Sequence, residues 1–102
     1  MFDLFGNMEE RQREMKEKLD GIFVEASSPN GEVRIKMNAN KRLEEISISP
    51  EALASGDPEM FEDLLLVTFN EAISAAETKA EAEMRKQIND MLPGGLGQLF
   101  GE

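Results

Sequence analysis

The 102-residue sequence contains no cysteine, no histidine, no tryptophan and no tyrosine. Without cysteine there is no disulfide framework and no thiol nucleophile, and a reducing compartment is the expected setting. Without histidine the commonest general base is missing too. A metal site would have to be built from oxygen ligands alone, and no EF-hand spacing is present. No apolar run approaches the roughly 18 residues of a membrane span. The opening MFDLFGNMEE lacks the basic-then-apolar order of a secretory signal. The Gly-rich stretch Pro93-Gly94-Gly95 follows a helical pattern rather than joining a strand to a helix, so it does not read as a phosphate loop. Carboxylates are numerous, but they fall on charged helix faces where solvated Glu–Lys arrays are the ordinary outcome. These absences describe one cytoplasmic, non-enzymatic domain without cofactor, metal, membrane segment or small-molecule substrate.

Charge is abundant and uneven. The net charge is −10. Residues 1–42 hold eight basic and eight acidic side chains, whereas residues 43–102 hold three basic and thirteen acidic ones. An acidic excess opposes nonspecific nucleic-acid binding, so any anion-binding surface is expected mainly in the first half.

The dominant feature is the stretch from Asp57 to about Leu92. Asp57 is a helix N-cap and Pro58 suits the first helical position, where its missing N–H would have had no partner. Glu59, Glu62 and Asp63 follow with the sign favoured near a helix N-terminus. Nothing interrupts the helix before Pro93, which makes it about 50 Å long at roughly 1.5 Å per residue. A compact domain of this size has a radius of gyration near 13 Å. The helix therefore has to project beyond its domain. Its first half is densely apolar (Met60, Phe61, Leu64, Leu65, Leu66, Val67, Phe69) and reads as core. Its second half keeps one stripe, Phe69, Ile73, Ala76, Ala80, Met84, Ile88 and Met91, and reads as an arm that needs a partner.

Ahead of it, residues 1–7 read as a loose terminus. A first helix is expected over Met8–Asp20, with Asn7 as N-cap and Gly21 as the residue just beyond its end. Met8, Gln12, Met15 and Leu19 form its stripe, a match for the stripe of the arm. Three strands follow: Ile22–Ala26, then Glu32–Asn38 with Val33, Ile35 and Met37 on one face, then Arg42–Ser49 with Ile46 and Ile48 inward. Ser27–Gly31 and Asn38–Lys41 are turn sequences. Leu43 has the wrong parity for its strand, which implies a bulge before Ile46. Ser49-Pro50 starts a short helix, Pro50–Ala54. The fold class is α+β, in the order α-β-β-β-α with a three-stranded antiparallel sheet, a short helical turn and a long C-terminal helix. Residues 93–102 read as a flexible Gly/Leu-rich tail.

In this order and spacing the motifs resemble the YbaB/EbfC family of bacterial nucleoid-associated proteins. The resemblance is carried by Gly31, Val33, Ile35 and Asn38; by Ile46, Ile48, Pro50 and Leu53; and by Glu62, Asp63, Leu64, Phe69, Asn70 and Ala72. It covers nearly the whole chain, tail included. The chain departs from the family pattern in three places. Its N-terminal lead is short and has lost basic residues. The Asn-Gly after the middle strand stands as Asn38-Ala39, where Ala would be strained if φ were positive. The Ala before the Phe-Asn pair is Thr68.

The resemblance implies a tweezer-shaped homodimer that binds duplex DNA with its projecting helices, with little sequence specificity. The candidate DNA-binding residues form three groups: Arg11, Arg13, Lys16 and Lys18 on the first helix; Arg34 and Lys36 on the outward face of the middle strand, with Lys41 and Arg42 in the turn after it; and Arg85 and Lys86 on the arm. Such contacts would neutralise phosphates. By themselves these groups read more readily as solvated surface whose charge acidic neighbours cancel, and it is the resemblance that favours DNA. The stripe residues Met8, Met15, Met84 and Met91 read as packing between the first helix and the arm. Left exposed, they would line an adaptable cleft, and the alternative function is then a small acidic dimeric adaptor that grips a protein segment.

Overall fold

The computed structural model describes the backbone of residues 4–91 and the side chains of residues 7–90. Six elements follow one another: α1 (Leu4–Asp20), β1 (Phe23–Ser27), β2 (Val33–Asn38), β3 (Leu43–Ile48), α2 (Pro50–Ala54) and α3 (Pro58–Met91). The strands form one antiparallel sheet in the order β1-β2-β3. The tail at 93–102 lies outside the described residues.

The core is small and sits on one face of the sheet. Val33, Ile35 and Met37 of β2 are fully buried against Ala72 and Ala76 of α3, with Val24, Ala26, Phe61, Leu65 and Phe69 packed around them. Each large side chain buried this way is worth about 2 kcal/mol relative to exposure. The two alanines let the α3 backbone lie close to the central strand. α3 packs mainly on β1 and β2 rather than on β3. Ile46, which pairs with Ile35 and shares its face, is therefore 44% exposed rather than buried.

The bulge is where the parity of Leu43 requires it. Lys36 pairs with Glu45 and Met37 with Leu43, so Glu44 is the extra residue and Leu43 returns to the face of Ile46. The caps of α2 and α3 also form as expected. Ser49 Oγ accepts from the Ala52 N–H at 3.1 Å, and Asp57 Oδ1 accepts from the Met60 N–H at 3.1 Å.

Other expectations fail. α1 begins at Leu4, so residues 4–7 are helical and Asn7 lies inside the helix instead of capping it. The cost of Gly6 and Asn7, about 1 kcal/mol or less each, is set against a stripe that runs on from Met8 to Leu4 at a spacing of four. Gly21 does follow directly on the last residue of α1, as expected, but without the left-handed conformation; α1 closes with bonds from Gly21 N–H to Lys18 O and from Ile22 N–H to Leu19 O. In the β2–β3 turn, Ala39 avoids positive φ and Lys41 adopts it, at 69°. The strain anticipated at Ala39 falls two residues later.

That turn also anchors α1. Asn38, 1% exposed, accepts from the Asn40 and Arg42 N–H groups through Oδ1 at 3.0 and 2.9 Å. Asn40 Nδ2 then donates to Lys16 O at 2.8 Å and to Asp20 Oδ1 at 2.6 Å, tying the last turn of α1 to the sheet. The rest of α1 is held less firmly. Leu19 is buried, Met15 half-buried and Met8 50% exposed. On α3, Ala76 is buried whereas Met84 and Ile88 are 52% and 46% exposed. The expected stripe-on-stripe burial of α1 against the arm is thus incomplete. The side of the arm turned inward carries Glu83 and Gln87, one helical position round from Met84 and Ile88. The molecule is long and thin in consequence, 65 × 34 × 17 Å with a radius of gyration of 19.1 Å.

Asn38→Ala removes the acceptor of two turn N–H groups and should destabilise the protein by about 2 kcal/mol. Thermal unfolding should show this as a melting temperature lower by roughly 10 °C, and an unchanged melting temperature would refute the role assigned to the side chain.

Candidate nucleic-acid interface

The three sequence-derived groups of cations meet different fates. Arg34 and Lys36 lie on the outer face of the sheet, opposite the side that α3 covers. There Lys36 has Glu25 as its register partner on one side and Glu45 on the other, and its ammonium lies 4.7 Å from the centre of the Phe23 ring. Arg34 sits between Ser27 and Ser47. These residues line a shallow outer-face depression of about 450 Å³ in which charges of both signs alternate. Such a surface has little net attraction for a polyanion. Lys41 is engaged elsewhere, 3.7 Å from Glu77 of α3 in an exposed ion pair.

The helical groups meet at one ion pair. Lys18 of α1 reaches across to Glu83 of α3, with Nζ 3.1 Å from Oε2. The Lys18 ammonium beside it, as hydrogen-bond donor and as charge, holds the Glu83 carboxyl below the usual carboxylate range against the opposing effect of desolvation; Lys86 and Lys79 pull the same way. One ammonium, that of Lys18, thus contacts the carboxylate, and Lys79 and Lys86 act on it as more distant charges from its own helix. Lys79 was not among the candidates suggested by the sequence. The signal was there, since Lys79, Glu83 and Lys86 recur at steps of four and three along one stripe of α3.

On α1 the cations do not share a face. Arg11 and Lys16 border the groove between α1 and the arm, on opposite sides of the Met15–Leu19 stripe. Arg13 falls on the far side of the helix, and Arg85 is turned away from the Lys79–Lys86 stripe by the helical period. Arg11 and Lys16 thus border the groove, while Lys18, Lys79 and Lys86 lie toward Glu83. Acidic side chains cluster at the other end, where Asp57, Glu59, Glu62 and Asp63 are exposed around the start of α3. The arm end, made of α1 and residues 77–91 of α3, carries seven basic and nine acidic side chains and is therefore close to neutral rather than cationic.

The chain matches the model of the YbaB/EbfC DNA-binding family over residues 1–91. It belongs to that family. Among similar proteins, a nucleoid-associated protein of Chloroflexus aurantiacus is 37% identical over 93 residues, covering 91% of this chain and 88% of its own. One from Acidobacterium capsulatum is 38% identical and covers 94% of both chains. Of solved structures, that of the uncharacterized protein HP0035 from Helicobacter pylori superposes with a TM-score of 0.66 at 21% identity, over 80% of this chain and 95% of that one. That likeness supports the α+β fold. The YbaB/EbfC family is a DNA-binding family and not a family of enzymes. Among the described residues, no helix is long and apolar enough to cross a membrane, and no group of acidic residues is arranged to hold a metal ion.

The Glu83 carboxylate gives the interface a pH dependence of defined sign. Its pKa is lowered on folding, so its contribution to stability is complete above the usual carboxylate range and is lost as pH falls through the lowered folded-state value. The stability difference between the wild type and Glu83→Gln should therefore be constant from neutral pH down to that range and shrink below it, as measured by urea unfolding at a series of pH values. A difference that grows on acidification would contradict the assignment.

Proposed function

We propose that this protein is a nucleoid-associated, duplex-DNA-binding protein of the bacterial cytoplasm that works as a homodimer and contacts DNA mainly through backbone phosphates. The observation that carries the reading is the Lys18–Glu83 bridge between α1 and the arm, with Lys79 and Lys86 on the same stripe of α3 as Glu83, in a chain with nearly twice as many acidic as basic residues. Family membership supplies DNA as the polyanion that such cations would meet. Lysine ammonium groups are flexible point charges suited to phosphate, and none of these cations has an aromatic neighbour to stack on bases. The contact expected is with backbone and largely indifferent to sequence.

The dimer reading rests on surface that one copy leaves uncovered. Ile46 and Leu43 face the helix side of the sheet without a helix above them, and Leu53, Leu66 and Val67 are exposed. β3 is also a free edge. A second copy seated there would hide this apolar surface and double the number of arms offered to a duplex. The adaptor reading keeps one observation in its favour, the apolar groove between α1 and the arm, which Met15 and Met84 line. Salt separates the two, since apolar binding does not weaken with salt as phosphate binding does.

Titration of a fluorescent duplex of about 30 base pairs between roughly 50 and 200 mM salt should give affinity that falls linearly on a log–log plot. The Arg11/Lys16/Lys79/Lys86→Ala variant should have a slope shallower by up to about 0.9 per lost phosphate contact, while Arg34/Lys36→Ala should match the wild type. Absence of binding at the lowest salt would sink the DNA reading. Light scattering should report about twice the 11.4 kDa chain mass for the wild type and a single chain for Ile46→Lys. A monomeric wild type would remove the dimer from the proposal.

A further inference from the structure

The groove between α1 and the arm is lined by Gln12, Met15, Leu19, Met84 and Ile88, with Arg11 and Lys16 at its border, and encloses about 370 Å³. Its lining is predominantly apolar, yet Met84 and Ile88 are about half exposed. The DNA reading leaves this surface unused. Side chains of this kind at the mouth of a cleft are expected to be covered.

The described helix ends at Met91, less than one turn past Ile88, and at least eleven more residues follow, LPGGLGQLFGE. Their sequence has three properties that fit the groove. Pro93-Gly94-Gly95 is chemistry that cannot continue a helix and permits the chain to reverse. Leu96, Leu99 and Phe100 are apolar, and the segment's one ionisable side chain is Glu102, opposite in sign to Arg11 and Lys16. Reach is ample: eleven residues extend up to about 36 Å, and Met84 is only about 10 Å back along the helix axis from Met91. Tethering makes the encounter intramolecular, so modest apolar burial suffices where a free peptide would need much more.

We propose that the groove is a docking site for the chain's own segment 92–102, seated through Leu99 and Phe100 over Met15, Met84 and Ile88. The docked segment would complete the apolar layer that α1 and α3 leave open and would hold the two helices at a fixed separation.

The absence of cysteine makes the test clean, because a nitroxide on Gln98→Cys labels one site only. Methyl NMR of the full chain should then show Met15 and Met84 losing most of their intensity while Met60, at the far end of α3, keeps its own. Adding Leu99→Ser and Phe100→Ser to the labelled chain should restore Met15, with the buried Met37 signal confirming that the fold is intact. Three results would overturn the proposal: an unaffected Met15; broadening that survives the double substitution, which would reflect tethering alone; or broadening of an isotope-labelled chain caused only by a nitroxide on a second copy, which would assign the groove to a neighbour's segment.

Discussion

One constraint shapes this molecule: α3 is too long for the sheet it covers, and it lies off the sheet's centre. A helix of 34 residues spans about 50 Å, whereas strands of five or six residues span roughly 20 Å. Only the part of α3 from about Phe61 to Ile73–Ala76 can bury apolar surface on β1 and β2. The remainder projects, and α1 runs beside it, tied near its last turn by Asn40 and by the Lys18–Glu83 pair. Because α3 serves β1 and β2, the inner face of β3 is left open as well. One packing decision thus yields both an arm that carries cations and an apolar surface at the opposite end.

What could be read from the sequence follows the strength of the local physics. The alternation Val33-Arg34-Ile35-Lys36-Met37 states a strand with one buried face, and β2 is the most buried strand of the sheet. Asp57-Pro58 and Ser49-Pro50 state helix starts, because side-chain caps are local and strong. The parity of Leu43 was enough to require a bulge. Where competing terms are small, the sequence misled. Nothing local decides between a helix starting at Leu4 and one starting at Met8, and the positive φ settled on Lys41 because Ala39 was needed in the interior, where its N–H bonds to Ile22 O at 2.8 Å.

The interface was legible as a list of cations but not as a set. Sequence alone could not tell that β2 would give Lys36 a carboxylate on either side, since strand register is a long-range property. Nor could it tell which side of the arm α1 would approach. Taking Met84 and Ile88 as the buried stripe was reasonable on apolarity. The helices instead make an ionic contact through Glu83 and Lys18, and the helical period puts Lys79 and Lys86 on the same stripe of α3 as Glu83. An ionic contact in place of an apolar one leaves Met84 and Ile88 uncovered. The groove and the ionic contact are therefore two results of the same approach.

Distance and screening bear on how a chain of net charge −10 could meet a polyanion as proposed. Glu62 and Lys86 are 24 positions apart on one helix, about 36 Å. The Debye length at physiological ionic strength is about 8 Å. A phosphate at the arm's tip is then screened from the acidic end and responds to the nearby lysines. In dilute salt, where the screening length grows to about 30 Å at 0.01 M, the whole charge would be felt and the acidic end would repel the duplex. In the proposed binding mode the strongly acidic start of α3 would lie away from DNA and the nearly neutral arm end toward it. That mode would also leave the apolar surface around β3 facing away from the duplex, where the proposed second copy would sit.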